Sequence, residues 1–277
     1  MPTAGQGLSH HVRAHNAATA SENKIHDDAV ARVHGFEGGL VPGITVFGYL
    51  TTPIVDAWGE AWLERGALSG RFRKPIYEGD DVSVTGTVIA DETDGTLRAE
   101  LEAHNSAGEV CAVGTARLPQ EAPEPPPLDH CPEAALPSER LDATPEALAG
   151  VDVLGSLDAG FHASRIDETL ALVGDALPIY RELDVAHPVW LLSFANTILA
   201  SNVALGPWIH TASAVQNHST LRDGERLSAR GRIADLSERH GNDIVDLDVL
   251  LVADGVRPVM SVHHTAIYRL RPAEHSP

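Results

Sequence analysis

Residues 21–43, SENKIHDDAVARVHGFEGGLVPG, set a polar Asn23-x-x-His26 cluster just ahead of a glycine-rich approach to an apolar run. An amide three residues from an imidazole can position water and move protons near neutral pH. Beyond the glycines, Ile44, Val46, Phe47 and Leu50 begin a stretch with no Asp, Glu, Lys or Arg from residue 43 to 55, which reads as a buried helix. The free backbone N–H groups at its start, near Gly43, can face an anion. A base and an oxyanion site are thus expected close together.

Working outward, the second half of the chain repeats the first. Gly79-Asp80 falls on Gly224-Glu225, Val82 on Leu227, Ser83 on Ser228, Gly86 on Gly231 and Val88 on Ile233, a shift of 224 − 79 = 145. The same shift carries Gly43 onto Pro188, so the first apolar helix meets a second that runs through Trp190, Leu192, Phe194, Ile198 and Leu199. Thr115-Ala116 matches Thr265-Ala266 at 265 − 115 = 150, because the hairpin at residues 237–242 is longer than the one at residues 92–95. Each copy reads as an irregular start, one long buried helix and alternating strands, an α+β plan. Strands are expected near 69–76, 81–90, 96–104 and 109–117, and again near 212–219, 226–235, 244–252 and 258–269. Prolines 119, 123, 125, 126, 127, 132 and 137 mark an extended connection. The expected division is 1–118, a linker 119–150, and 151–277.

Bulk properties narrow the function. A formal charge of −19 on 277 residues argues against nucleic acid and anionic membranes, both polyanions. The N-terminus lacks the charged and apolar regions of a leader, and no apolar run approaches the roughly 18 residues of a membrane span, so a cytoplasmic protein is expected. Cys111 and Cys131 are too few for a disulfide framework, which suits a reducing compartment. Metal binding is disfavoured: His11 and His15 do not sit in a helix-like context, and His263-His264 on a strand would face opposite ways. No cofactor motif is present.

The order Ser21-Glu22-Asn23-Lys24-Ile25-His26, Ala31, Gly35-Phe36, Gly43 resembles the MaoC-like acyl dehydratases and (R)-specific enoyl-CoA hydratases, which carry D-x-N-P-x-H, an Ala, a Gly-Phe and a helix-opening Gly. Residues 71–80, RFRKPIYEGD, resemble the strand and Gly-Asp turn that follow the helix in that fold. The resemblance implies a double hotdog: two antiparallel sheets, each around a long helix, joined edge to edge. It implies hydration or dehydration of 2-enoyl/3-hydroxyacyl thioesters, carried by CoA or a carrier protein, with no cofactor. His26 would be the base, the Gly43 N–H an oxyanion donor, and Asn23 would hold water or orient an acid. Lys24, Asp27, Phe36, Pro42, Arg71, Arg73 and Lys74 would contact substrate, the basic ones its phosphates or a second carboxylate.

Two positions depart from the pattern: Ser21 replaces the family's Asp and Lys24 its proline. Three readings of Ser21 stand open. Glu22 or Asp27 takes the carboxylate's role; His26 works alone; or the pocket binds without turnover. At the 145 shift Asn23 and His26 fall on Glu168 and Ala171, so one active site per chain is expected, with the second half, including residues 167–180, shaping an acyl tunnel. A hotdog thioesterase is disfavoured because neither helix, 43–55 or 188–205, offers an acidic residue. A non-catalytic binding protein is the other rival, and a homodimer is the expected assembly.

Overall fold

The computed structural model describes residues 4–90 and 94–271; residues 92 and 93 of the expected hairpin turn lie outside the described residues. In chain order the first half contains β1 (Gly7–Arg13), α1 (Asp28–Val33), α2 (Gly43–Arg65), β2 (Ala67–Phe72), β3 (Asp81–Ala90), β4 (Leu97–His104) and β5 (Val110–Leu118). The connection holds β6 (Leu141–Asp142) and α3 (Pro145–Ala149). The second half contains β7 (Val153–Gly160), α4 (Ile166–Val173), α5 (Ile179–Leu183), α6 (Pro188–Asn202), β8 (Val203–Ala204), β9 (Ile209–Asn217), β10 (Arg226–Arg239), β11 (Asn242–Ala253) and β12 (Arg257–Arg269).

One antiparallel sheet runs β1-β3-β4-β5-β2-β9-β12-β11-β10-β7, so the halves meet at the β2–β9 pair. Ser69 lies opposite Ala214 there, and 214 − 69 = 145 is the repeat shift itself. A pseudo-twofold axis therefore passes between these two residues. The side chain of Asn217 donates to the Trp62 carbonyl at 2.9 Å, and that of Gln216 donates to Arg65 and Gly66, which locks the end of α2 to β9.

The sheet wraps α2 and α6 with its apolar inner face. Phe47, Leu50, Ile54 and Trp62 of α2 and Leu192, Ala195 and Ile198 of α6 are fully buried, as are Leu68, Val84, Leu101, Leu247 and Leu251 of the strands. Each large side chain buried in this way contributes about 1.5–3 kcal/mol. Helix α2 runs past residue 55 to Arg65, broken at Gly59 (φ 57°), and its acids Asp56, Glu60 and Glu64 are exposed. The buried first turns thus remain free of acidic side chains.

Strand β2 stops at Phe72 rather than 76, and Pro75, which has no N–H for the ladder, follows closely. Arg73 and Lys74 consequently leave the sheet. The outermost strands β1 and β7, which pair with β3 and β10, belong to what the sequence presents as irregular starts. Of the expected linker, residues 141–149 form β6 and α3, with Leu148 buried. Upstream, Cys131 is buried on Leu250 and Val252, and burial pushes its thiol up to about 11. Among the described residues no helix is long and apolar enough to cross a membrane, and no cluster suits a metal ion.

Candidate active site

The chain leaving β1 is pinned by buried Asn16, whose side chain donates to the His26 carbonyl at 2.9 Å while its backbone N–H donates to Glu78 at 2.6 Å. Asn23 caps a short 3-10 turn at residues 24–26. Its amide also pairs with the backbone of Trp208 like a strand edge: Nδ2 donates to the Trp208 carbonyl at 2.9 Å and Oδ1 accepts the Trp208 N–H at 3.1 Å. That double bond between halves fixes which end of the amide is oxygen. Asp27 caps α1, accepting from Ala29 and Val30.

These anchors set His26. Its Nδ1–H donates to the Leu40 carbonyl at 2.7 Å, and because a carbonyl only accepts, neutral His26 carries its proton on Nδ1 and a lone pair on Nε2. Asn23 Nδ2, whose other N–H holds the Trp208 carbonyl, donates to that lone pair at 3.3 Å, so an incoming water must displace this long bond for Nε2 to act as a base. Burial lowers the His26 pKa, against the opposing pull of the bond to Leu40. The imidazole is therefore a neutral base at pH 7.

Helix α2 opens from Pro42 with no side-chain cap, so its first N–H groups are unclaimed by the helix. The matching end of α6 is closed: His187 Nδ1 accepts the Val189 N–H at 3.0 Å, and Tyr180 and Asp175 fill in behind it. A cavity of about 150 Å³ at the α2 end brings together His26, Phe36, Gly43, Arg73 and Lys74 from the first half with Trp208 and His210 from the second.

Other expected residues lie elsewhere. Ser21 donates its hydroxyl to the Asn23 carbonyl at 3.1 Å. The Glu22 side chain is 86% exposed and pairs with Arg140 at 3.3 Å, and Asp27 is spent on the α1 cap. None of the three lines the cavity, so the reading in which Glu22 or Asp27 replaces the missing carboxylate gains no support from this geometry. Asn23 holds Trp208 and the turn instead of lining the cavity, Lys24 folds back onto the Ser21 carbonyl, and Pro42 serves as the boundary residue of α2. Arg71 lines a separate groove on the outer face near the pseudo-twofold axis, and Lys74 is held by Glu109 at 2.5 Å.

Sequence reasoning missed His210, Ser213 and His264, all buried on the inner face. His210 Nε2 lies 3.1 Å from the Ala212 carbonyl and 2.8 Å from Ser213 Oγ, which lies 3.0 Å from His264 Nδ1. A register shift between Thr265 and Ala266 leaves Thr211 unpaired, so His210 and Ser213 face inward although three residues apart. The repeat gives no signal, since His210 falls on Arg65 at 210 − 145 = 65. His263 and His264 do face opposite ways: His263 is exposed beside Asp248 and His264 is buried.

No family model and no curated protein matches the chain. Solved structures do. A MaoC domain protein of Chloroflexus aurantiacus described as a dehydratase is 15% identical, with a TM-score of 0.64 over 97% of this chain and 96% of that one. A double-hotdog protein of Mycobacterium tuberculosis is 15% identical, with a TM-score of 0.65 over 96% of each chain. A protein of Lactobacillus plantarum described as an oleoyl thioesterase is 12% identical, with a TM-score of 0.55 over 97% and 98%. Sharing its architecture with MaoC-like dehydratases, the chain has the double hotdog fold.

Proposed function

We propose that the chain is a MaoC-like hydratase/dehydratase of 2-enoyl/3-hydroxyacyl thioesters, the acyl group carried by CoA or a carrier protein in the cytoplasm. The observation that carries this reading is one cavity lined by both His26, whose Nε2 lone pair is fixed by the Leu40 bond, and the uncapped start of α2 at Gly43. In the hydration direction, His26 Nε2 takes a proton from water as the oxygen bonds to the β carbon. The double-bond electrons move to the thioester oxygen, held at the Gly43 N–H, and the proton on Nε2 then passes to the α carbon. Water is added without a carboxylate.

Residues 1–118 supply these groups in this reading, 151–277 close the cavity through Trp208 and His210, and 119–150 connect the two. Arg73, at the cavity mouth, is the cation suited to the substrate's phosphates, Lys74 being neutralised by Glu109. A thioesterase would use the same class of substrate, but the first turns of α2 offer no acid to act as nucleophile or base.

The test follows loss of enoyl-thioester absorbance with crotonyl-CoA and a longer enoyl-CoA, beside release of free thiol. Wild type is expected to bleach the enoyl band without releasing thiol, and His26→Ala to lose about 10²–10⁴ of that rate. Thiol release in place of bleaching, or full turnover by His26→Ala, overturns the assignment.

A further inference from the structure

We propose that His210 holds the oxygen that His26 activates, its Nδ1 accepting one O–H of the attacking water and, after addition, the O–H of the 3-hydroxyl group. The inference rests on the thioester reading above and names the group that recognises the β-hydroxyl.

His210 is only 6% exposed, yet its Nδ1 has no partner among the described residues. Buried polar atoms are rarely left unmatched, and this one belongs to a residue in the wall of the His26 cavity. It is aimed at the start of α2: a Cβ built on Gly43 would sit 2.7 Å from it. The ring cannot turn freely, because Phe72 packs edge-on at 4.9 Å and His264 lies 4.2 Å away between ring centres.

The hydrogen bonds behind the ring set its tautomer. The Ala212 carbonyl accepts only, so Nε2 carries the proton, and Ser213 Oγ then donates to His264 Nδ1. Neutral His210 is left with a lone pair on Nδ1, and burial pushes its pKa down to about 3, so that lone pair persists at physiological pH. Ser213 and His264 act as positioning residues for it.

The lone pair disfavours a bare anion and the free helix N–H groups beside it disfavour a cation, whereas the two together suit a ligand that presents an acceptor and a donor close together. A 3-hydroxyacyl thioester is such a ligand, with its carbonyl for Gly43 and its hydroxyl for His210 two carbons apart along the chain. Protons balance: of the water's two, His26 takes one and later delivers it to the α carbon, and the other stays on oxygen, held by His210. His210 neither gains nor loses a proton. It serves where Ser21, which donates to the Asn23 carbonyl and does not line the cavity, offers no acceptor to the ligand.

The test is calorimetric binding of 3-hydroxybutyryl-CoA and butyryl-CoA in a His26→Ala background, which slows turnover about 10²–10⁴-fold. The hydroxylated thioester is expected to bind about tenfold tighter. His210→Gln, whose amide reaches the Nε2 position, is expected to remove that preference, read as the ratio of the two affinities in the same variant. His210→Asn, which places an oxygen near the Nδ1 position, is expected to restore part of it. Equal binding of the two thioesters to the parent, or a preference that survives His210→Gln, overturns the role of His210 and leaves the thioester reading standing. Failure of both thioesters to bind overturns that reading, and the role of His210 with it.

Discussion

Gly39 passes so close to His26 that a Cβ built on it would lie 2.1 Å from the His26 carbonyl oxygen and 3.1 Å from Asn16 Nδ2. The clash is with backbone, which cannot swing aside as a side-chain tip can. Asn16 donates to that same carbonyl, and Leu40, the next residue, accepts from the His26 ring. Gly39→Ala is therefore expected to cost about 1–3 kcal/mol of stability and to displace the base. Thermal melting and enoyl-thioester turnover check it: both fall together, whereas a variant with unchanged melting and turnover contradicts this packing.

Gly43→Ala works differently. The added methyl would meet His210 Nδ1 at 2.7 Å and Phe72 at 2.8 Å, both side chains in the cavity wall. The His210 and Phe72 rings are packed on each other and on His264, so they give way only slightly and some stability is expected to be lost, although alanine favours a helix start no less than glycine does. Turnover is expected to fall about 10²-fold or more, because the oxyanion donor and the cavity floor both move. The informative quantity is the ratio of lost turnover to lost stability, which should far exceed that of Gly39→Ala.

Asn23→Ala removes two hydrogen bonds to Trp208 and the cap on the turn that carries His26. It leaves the Trp208 N–H and carbonyl unmatched. A loss of about 1–3 kcal/mol in chemical denaturation is expected. Turnover is expected to fall even well below the melting temperature, since the amide sets the position of His26 relative to the second half.

Glu22→Gln and Ser21→Asp separate the sequence pattern from the geometry. Glu22 pairs with Arg140 in solvent, an interaction of about 0–1 kcal/mol, and its loss is expected to leave turnover within twofold. Ser21 faces the Asn23 carbonyl, so Ser21→Asp is expected to give no gain in rate. A large gain would mean that the turn swings to present position 21 to substrate.

These positions show what the sequence could and could not convey. The repeat shift of 145 is visible in the Gly-Asp turns and helices, and it reappears as Ser69 facing Ala214. His26 and Gly43 were legible because each is tied to a local pattern, a turn before a glycine-opened helix. Strands β1 and β7 were not: GLSHHVR and VLGSLDAG are short edge strands, with partners, β3 and β10, some seventy residues further along the chain. His210 was invisible for a related reason. It reaches the cavity from the other half across β2–β9, with a bulge at Thr211 that breaks the period of two, and no local spacing records either fact.

The buried histidines predict how stability depends on pH. Burial lowers the pKa of His10, His26, His210, His218 and His264, to about 3 for His210. In the unfolded chain each returns to about 6.5. Below that value the unfolded state binds protons that the folded state refuses, so stability falls as pH falls, and each such group goes on destabilising until its own folded pKa is reached. The slope is up to about 1.4 kcal/mol per pH unit for each of the fully buried His210 and His264, and smaller for the half-buried His10, His26 and His218, which water still screens. An opposing effect exists, because acidification relieves the repulsion of a chain with net charge −19. Carboxylates, however, titrate near pH 4, so between about pH 6.5 and 5 the buried histidines dominate. Melting temperature is expected to be flat above pH 7 and to drop steadily from 6.5 to 5. Turnover, limited by the lowered pKa of His26, is expected to persist to a lower pH than an ordinary imidazole base of pKa about 6.5 would allow. A melting temperature that rises on acidification through this window would show that charge relief outweighs the cost of protonating the interior.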